Sequence, residues 1–171
     1  VATFTDCDAL AELINSAYRG ESSAQGWTTE AHILSGLRTD GDNLRELFVE
    51  PDRKFLMAFD ASRNLVGCVC LEQRTGSLAY LGMLSVKPTG QAKGVGRALL
   101  AEAERFARQE LGASVMEMTV ITLRDELIAW YERRGYRRTG KIVPFPVHPR
   151  FGVLKVESLE MEVLEKDITL K

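Results

Sequence analysis

Histidine is almost missing from this chain: His32 and His148 are its two, and they stand far apart. A histidine-based metal site, or a hydrolase whose serine needs a histidine base, has little to be built from. Cysteine is scarce as well. Cys7, Cys68 and Cys70 are odd in number and lack metal-ligand spacing, and Cys68 alternates with Cys70 inside GCVCLEQ as one face of a strand would. Reduced, buried thiols are expected, and no metal. No apolar run approaches the roughly 20 residues of a membrane span. VATFTDCDAL has neither the basic start nor the apolar core of a signal peptide, and its abrupt start suggests a first strand that is short or trimmed. A strong excess of one charge is also lacking: the net charge is −2, which advertises no nucleic-acid partner. The expectation is a cytoplasmic protein without nucleic-acid or membrane partners.

What is present is ordinary globular material, 45% hydrophobic and 27% charged over 171 residues, enough for one domain spanning 1–171. Leu10, Leu13, Ile14 and Ala17 recur at helical spacing and predict a helix over 6–18. Thr28 or Thr29 reads as the cap of a second helix reaching about residue 37, which RTDGDN then breaks. Segments 54–60 and 65–73 read as a hairpin, and 78–86 as a third strand. A helix follows over 95–111, with Val95, Leu99, Leu100, Ala103, Phe106 and Ala107 on one stripe. Strand 115–121 comes next, parallel to 78–86 if the crossover is right-handed. Thr122 and Asp125 resemble a capping box for a helix over 123–134, and strands 136–143 and 159–166 close the chain around PFPVHPRFG. The order predicts a mixed α/β domain.

The chemistry-bearing stretch is KPTGQAKGVGRALL, where glycines crowd a strand-to-helix turn. Such a turn aims several N–H groups at one point, where the helix dipole also favours negative charge. An anion cradle over Gln91, Ala92, Lys93, Gly94, Val95, Gly96 and Arg97 follows, with Lys93 and Arg97 adding positive charge. Neither Gly94 nor Gly96 is followed by Lys-Ser or Lys-Thr, so a P-loop fits poorly. Leu99 stands where a dinucleotide fingerprint needs its third glycine.

Leu84-Ser85-Val86 followed by Gln91-x-x-Gly94-x-Gly96 resembles the acetyl-CoA signature of the GNAT superfamily of N-acetyltransferases, and WYERRGY resembles that family's later segment through Tyr131, Gly135 and Tyr136. The resemblance implies a single-domain α/β fold with a mixed central sheet, splayed parallel strands and helices on both faces. It implies acetyl-CoA as acyl donor without a metal, its pantetheine on the backbone of Leu84, Ser85 and Val86 and its diphosphate on the glycine turn. Roughly six converging donors, each charge-assisted at about 1.5–3 kcal/mol, can hold a diphosphate unaided. It gives Tyr131 the role of general acid to the CoA thiolate. Trp130, roughly 100° away on the helix, should then face elsewhere.

Arg124 stands where many relatives carry Asn, and either reaches the cofactor, pairs with an acceptor carboxylate, or is a solvated charge in the first turn, where the helix dipole disfavours it slightly. Strand 78–86 has no carboxylate, so the general base falls to Glu72, to Glu117 or to water held by Tyr80. The acceptor, a small-molecule or peptide amine, would lie between loop 19–27, with Glu21 and Trp27, and the loop 144–152, with Phe145, His148 and Phe151. Pairing into a homodimer through the last strands is common in the family. The competing reading is a non-catalytic CoA- or acyl-CoA-binding sensor or regulatory module.

Overall fold

The computed structural model describes residues 1–19, 23, 25–27, 29–91, 93–148, 150 and 152–169. After a short 3-10 turn, helix α1 spans Cys7–Tyr18 and buries Leu10, Leu13, Ile14 and Ala17, as their spacing predicts. The second helix does not form where it was expected. Thr29 Oγ1 does accept the Ala31 N–H at 3.1 Å, but the turn it starts leads to a two-residue strand, β1 (Leu34–Ser35), and to Gly36 at φ +85°. Helix α2 is Gly41–Phe48 and begins inside RTDGDN, the segment read as a break. The reason is chemical: Asp40 accepts the Asn43 N–H at 2.8 Å, so the residues that interrupt one helix cap the next.

Strands β2 (Arg53–Phe59), β3 (Leu65–Gln73) and β4 (Leu78–Val86) form an antiparallel meander. Helix α3 (Val95–Glu110) crosses to β5 (Val115–Ile121), which lies parallel to β4. Helix α4 (Asp125–Glu132) leads to β6 (Arg137–Pro144), then β7 (Val153–Leu154) and β8 (Glu160–Asp167). The main sheet runs β2-β3-β4-β5-β8-β6, while β1 and β7 pair separately. The expected capping box of α4 is not made. Thr122 bonds instead to the Glu160 carbonyl from both its N–H (3.0 Å) and its hydroxyl (3.3 Å), and Arg124 occupies the cap position. The neighbouring strand holds Thr122 before the helix can use it.

Alternation along β3 shows the layering. Val69 and Leu71 join Leu99, Leu100 and Ile128 in a core on the α3 and α4 side, whereas Cys68 and Cys70 join Leu10, Ile14 and Leu44 on the α1 and α2 side. Burial pushes the Cys68 thiol up to about 12 and the Cys70 thiol up to about 11, so both stay protonated. Among the described residues, no helix is long and apolar enough to cross a membrane.

The feature that makes a site is the divergence of β4 from β5. They pair only at Leu78–Val115, Ala79–Met116 and Tyr80–Glu117, leaving the β4 edge from Leu81 onward without a strand partner. A bulge drives the separation. Cys70 faces Gly82 and Cys68 faces Ser85, so Met83 and Leu84 together oppose Val69. Met83 adopts φ +52°, uncommon for a side-chain-bearing residue, and its carbonyl accepts the Ser85 hydroxyl at 3.0 Å.

Candidate active site

Two adjoining cavities occupy the gap, and Tyr18, Leu84, Leu127 and Tyr131 line both. The larger, about 520 Å³, is bounded by Leu84 and Val86 of β4, by Gln91, Lys93, Gly94, Gly96 and Arg97 at the entry to α3, and by Trp130 and Arg134 at the end of α4. Gly94 caps α3 at φ +82°, where a Cβ would meet nothing within 4 Å, so glycine is needed there for the backbone conformation. Gly96 serves differently: its Cβ would lie 3.6 Å from Val86 and 3.7 Å from Trp130, narrowing the cavity at its floor.

The charge around this turn is unbalanced. Arg134 stacks its guanidinium 3.6 Å from the Trp130 ring centre, its Nε is buried without a hydrogen-bond partner, and it has no ion pair among the described residues. Burial, followed by the charges of Arg133 and Arg97, holds its pKa below the usual guanidinium range. A bound anion would relieve that repulsion. Lys93, Arg97 and Arg134 around a glycine turn therefore fit a diphosphate.

Tyr131 stands where the cavities meet. The residue is 5% exposed, and its ring packs edge-on against Trp130 (centroids 5.0 Å apart) and Tyr136 (5.6 Å). Its hydroxyl has no hydrogen-bond partner among the described residues. Burial, reinforced by nearby Tyr18, pushes its pKa well above the ordinary phenol value, so the proton stays on oxygen. Trp130 does not turn away as expected. Both neighbours line the larger cavity, and Trp27 is tilted against Trp130 at 6.3 Å.

The smaller cavity, about 100 Å³, lies between the diverging stretches of β4 and β5, with Phe145 and Met161 closing one side. Its polar lining comprises Glu30, Arg38 and Arg124, together with Tyr80, whose hydroxyl is 2.7 Å from that of Thr119. Glu30 lies 3.6 Å from both Arg124 Nη1 and Arg19 Nε, all three buried.

The expected site residues divide accordingly. Leu84, Val86, Gln91, Lys93, Gly94, Gly96 and Arg97 gather around the larger cavity, while Ala92 lies outside the described residues. The Leu84 carbonyl already accepts the Tyr18 hydroxyl, and the Val86 carbonyl accepts Gln91 Nε2 at 3.1 Å. Ser85 is buried and braces the bulge, and Val95 turns inward, 3.4 Å from where a Cβ on Gly67 would lie.

Trp27, expected beside the acceptor, lines the larger cavity, whereas Arg124 lines the smaller one and not the larger. Glu72 lies away from both cavities, 3.0 Å from Arg53 and 3.2 Å from Arg74, and Glu117 is 3.0 Å from Arg74. Both carboxylates are engaged by guanidiniums, and neither lines the gap. His148 is exposed on its loop, where its Nδ1 accepts the Arg150 N–H at 3.2 Å. Glu21 and Phe151 lie outside the described residues.

Sequence reasoning missed Tyr18, Glu30, Arg38 and Arg134 as lining residues. Only Arg134, next to the Gly135-Tyr136 pair, had a nearby signal.

Residues 8–136 match the model of the acetyltransferase (GNAT) family. The chain belongs to that family. As a GNAT protein it is an acyl-CoA-dependent N-acetyltransferase, and acetyl-CoA is the family's co-substrate. An uncharacterized N-acetyltransferase of Chlorobaculum tepidum is 28% identical over 130 residues, which are 75% of this chain and 77% of that one. The GNAT fold is also seen in a protein assigned as a phosphinothricin N-acetyltransferase (TM-score 0.73, 18% identity, 99% of this chain and 97% of that one). A chimeric form of the spermidine N-acetyltransferase SpeG from Vibrio cholerae has TM-score 0.69 and 19% identity, over 98% of this chain and 92% of that one.

Proposed function

We propose that this acetyltransferase moves the acetyl group of acetyl-CoA to a small primary amine by direct attack on the thioester, with Tyr131 as the acid for the departing sulfur. The observation that carries the reading is the Tyr131 hydroxyl, unpartnered among the described residues on an otherwise buried ring at the junction of two cavities. Acetyl-CoA, when bound, supplies an activated acyl carbon and a sulfur leaving group. Gln91, Lys93, Gly94, Gly96, Arg97 and Arg134 would hold its diphosphate, and the unpaired edge of β4 would face its pantetheine arm.

The amine takes the smaller cavity. As the N–C bond forms, the C–S bond breaks, its electron pair goes to sulfur, and Tyr131 Oη delivers a proton there. The proton the amine gives up returns through water to the phenol, so the cycle closes with an amide and a free thiol. A buried phenol is a weaker acid than a free one, but the same low-dielectric surroundings raise the thiol's proton affinity too, so the pair remains matched. No carboxylate base is required if the amine arrives unprotonated, which suits a cleft that Glu72 and Glu117 do not reach.

Proteins of this fold are named for acceptors as different as spermidine and phosphinothricin. The acceptor is therefore chosen by side chains of the smaller cavity. Tyr131→Phe tests the acid role. Loss of a positioned proton donor should lower kcat by about 10²–10⁴-fold while acetyl-CoA is still held.

A further inference from the structure

The charge of the smaller cavity says what kind of amine it takes. Among the described lining residues, Glu30 is the one carboxylate, and Arg38 and Arg124 are guanidiniums. Glu30 is also shared: Arg124 and Arg19 flank it at 3.6 Å each, so its charge is engaged from two sides by buried cations. Arg38 differs from both. It has no ion pair among the described residues, and its main-chain N–H is tied to Asn15 Oδ1 at 2.7 Å, which anchors the residue at the cavity wall. It lines the cavity together with Tyr18, whose hydroxyl is buried.

A polycation placed here would meet two guanidiniums for each carboxylate in a partly desolvated space, where like charges repel strongly. An amine that brings its own negative charge would complete the set.

We propose that the acceptor is a small amine that also carries an anionic group, a zwitterion of the amino-acid type, and that Arg38 receives the anion. The proposal deepens the acetyltransferase reading above and rests on it. A guanidinium presents paired donors that match a carboxylate or phosphonate edge. The volume, about 100 Å³, admits a compact head group of a few non-hydrogen atoms and not a bulky polycyclic amine. Leu81, Met118, Phe145 and Met161 supply an apolar wall for the remaining part of the acceptor.

Thiol release under saturating acetyl-CoA tests this with three matched acceptors, an apolar amino acid, its aminophosphonate analogue and its primary amide, and with spermidine as the polycation. The expected result is a kcat/KM for one or both acids at least about 10-fold above that of the amide, with spermidine weaker still. Arg38→Gln should raise KM for the preferred acid by roughly 10–100-fold, leave kcat within about threefold, and collapse the preference for acid over amide. Arg38→Lys should restore part of it.

Calorimetry with acetyl-CoA reports whether each variant keeps its fold. A wild-type protein that binds acetyl-CoA but prefers the amide or spermidine overturns the anion proposal alone, as does an Arg38→Gln variant with unchanged KM. A protein that does not bind acetyl-CoA overturns the reading beneath it.

Discussion

Tyr131 is held by packing, and among the described residues its hydroxyl has no partner. The ring is clamped between Trp130 and Tyr136, and burial raises the pKa of its hydroxyl. The sign of that shift has a consequence for the pH profile. A raised phenol pKa keeps the donor form present past the ordinary value of about 10, so Tyr131 should impose no descending limb below that pH. The ascending limb belongs to the acceptor, whose ammonium must lose a proton before it can attack. The α-amine of a peptide does so near 8 and an alkyl amine near 10, approximately, while the carboxylate of a free amino acid holds its ammonium above the peptide value. kcat/KM should therefore climb with pH and level off without turning down before about pH 10. A bell with a falling limb near pH 9 that disappears in Tyr131→Phe would contradict the raised pKa.

The elements around this residue show what could be read in advance. The glycine turn, β4, α3 and β5 were legible because each depends on local pattern: alternating apolar residues, helical periodicity, and a glycine where φ must be positive. Helix α2 was not, since Asp40-Gly41-Asp42-Asn43 has the composition of a break and of a cap alike, and only Asn43 bonding to Asp40 decides it.

The bulge in β4 was also hidden. Met83 at φ +52° has no sequence mark, yet it is what turns β4 away from β5. Ser85, expected to lie along the cofactor, fastens the Met83 carbonyl with its hydroxyl at 3.0 Å. Ser85→Ala should therefore cost about 0.5–1.5 kcal/mol in chemical denaturation. It should also weaken acetyl-CoA binding without removing the general acid, which a comparison of acetyl-CoA Kd with single-turnover rate would reveal. An unchanged Kd alongside unchanged stability would mean that the bulge holds without Ser85.

At the scale of the whole molecule, the two cavities were legible to different degrees. The larger one is assembled mostly from two short stretches of chain, residues 84–97 and 127–134, and both carried motifs. The smaller one draws Glu30 and Arg38 from the segment before α2, Tyr80 from β4, Thr119 from β5, and Phe145 and Met161 from beyond α4. No local pattern joins residues so far apart. The fold brings them together because β4 and β5 separate after three paired residues and α4 packs across the gap.

The most direct measurement is a calorimetric titration of the protein with acetyl-CoA, ATP and NAD under one set of conditions. The account predicts saturable binding of acetyl-CoA at sub-millimolar concentration and much weaker binding of the other two, because the glycine turn is continuous with a cleft for a pantetheine arm. Failure of acetyl-CoA to bind in that range, or equal binding of ATP or NAD, would contradict it.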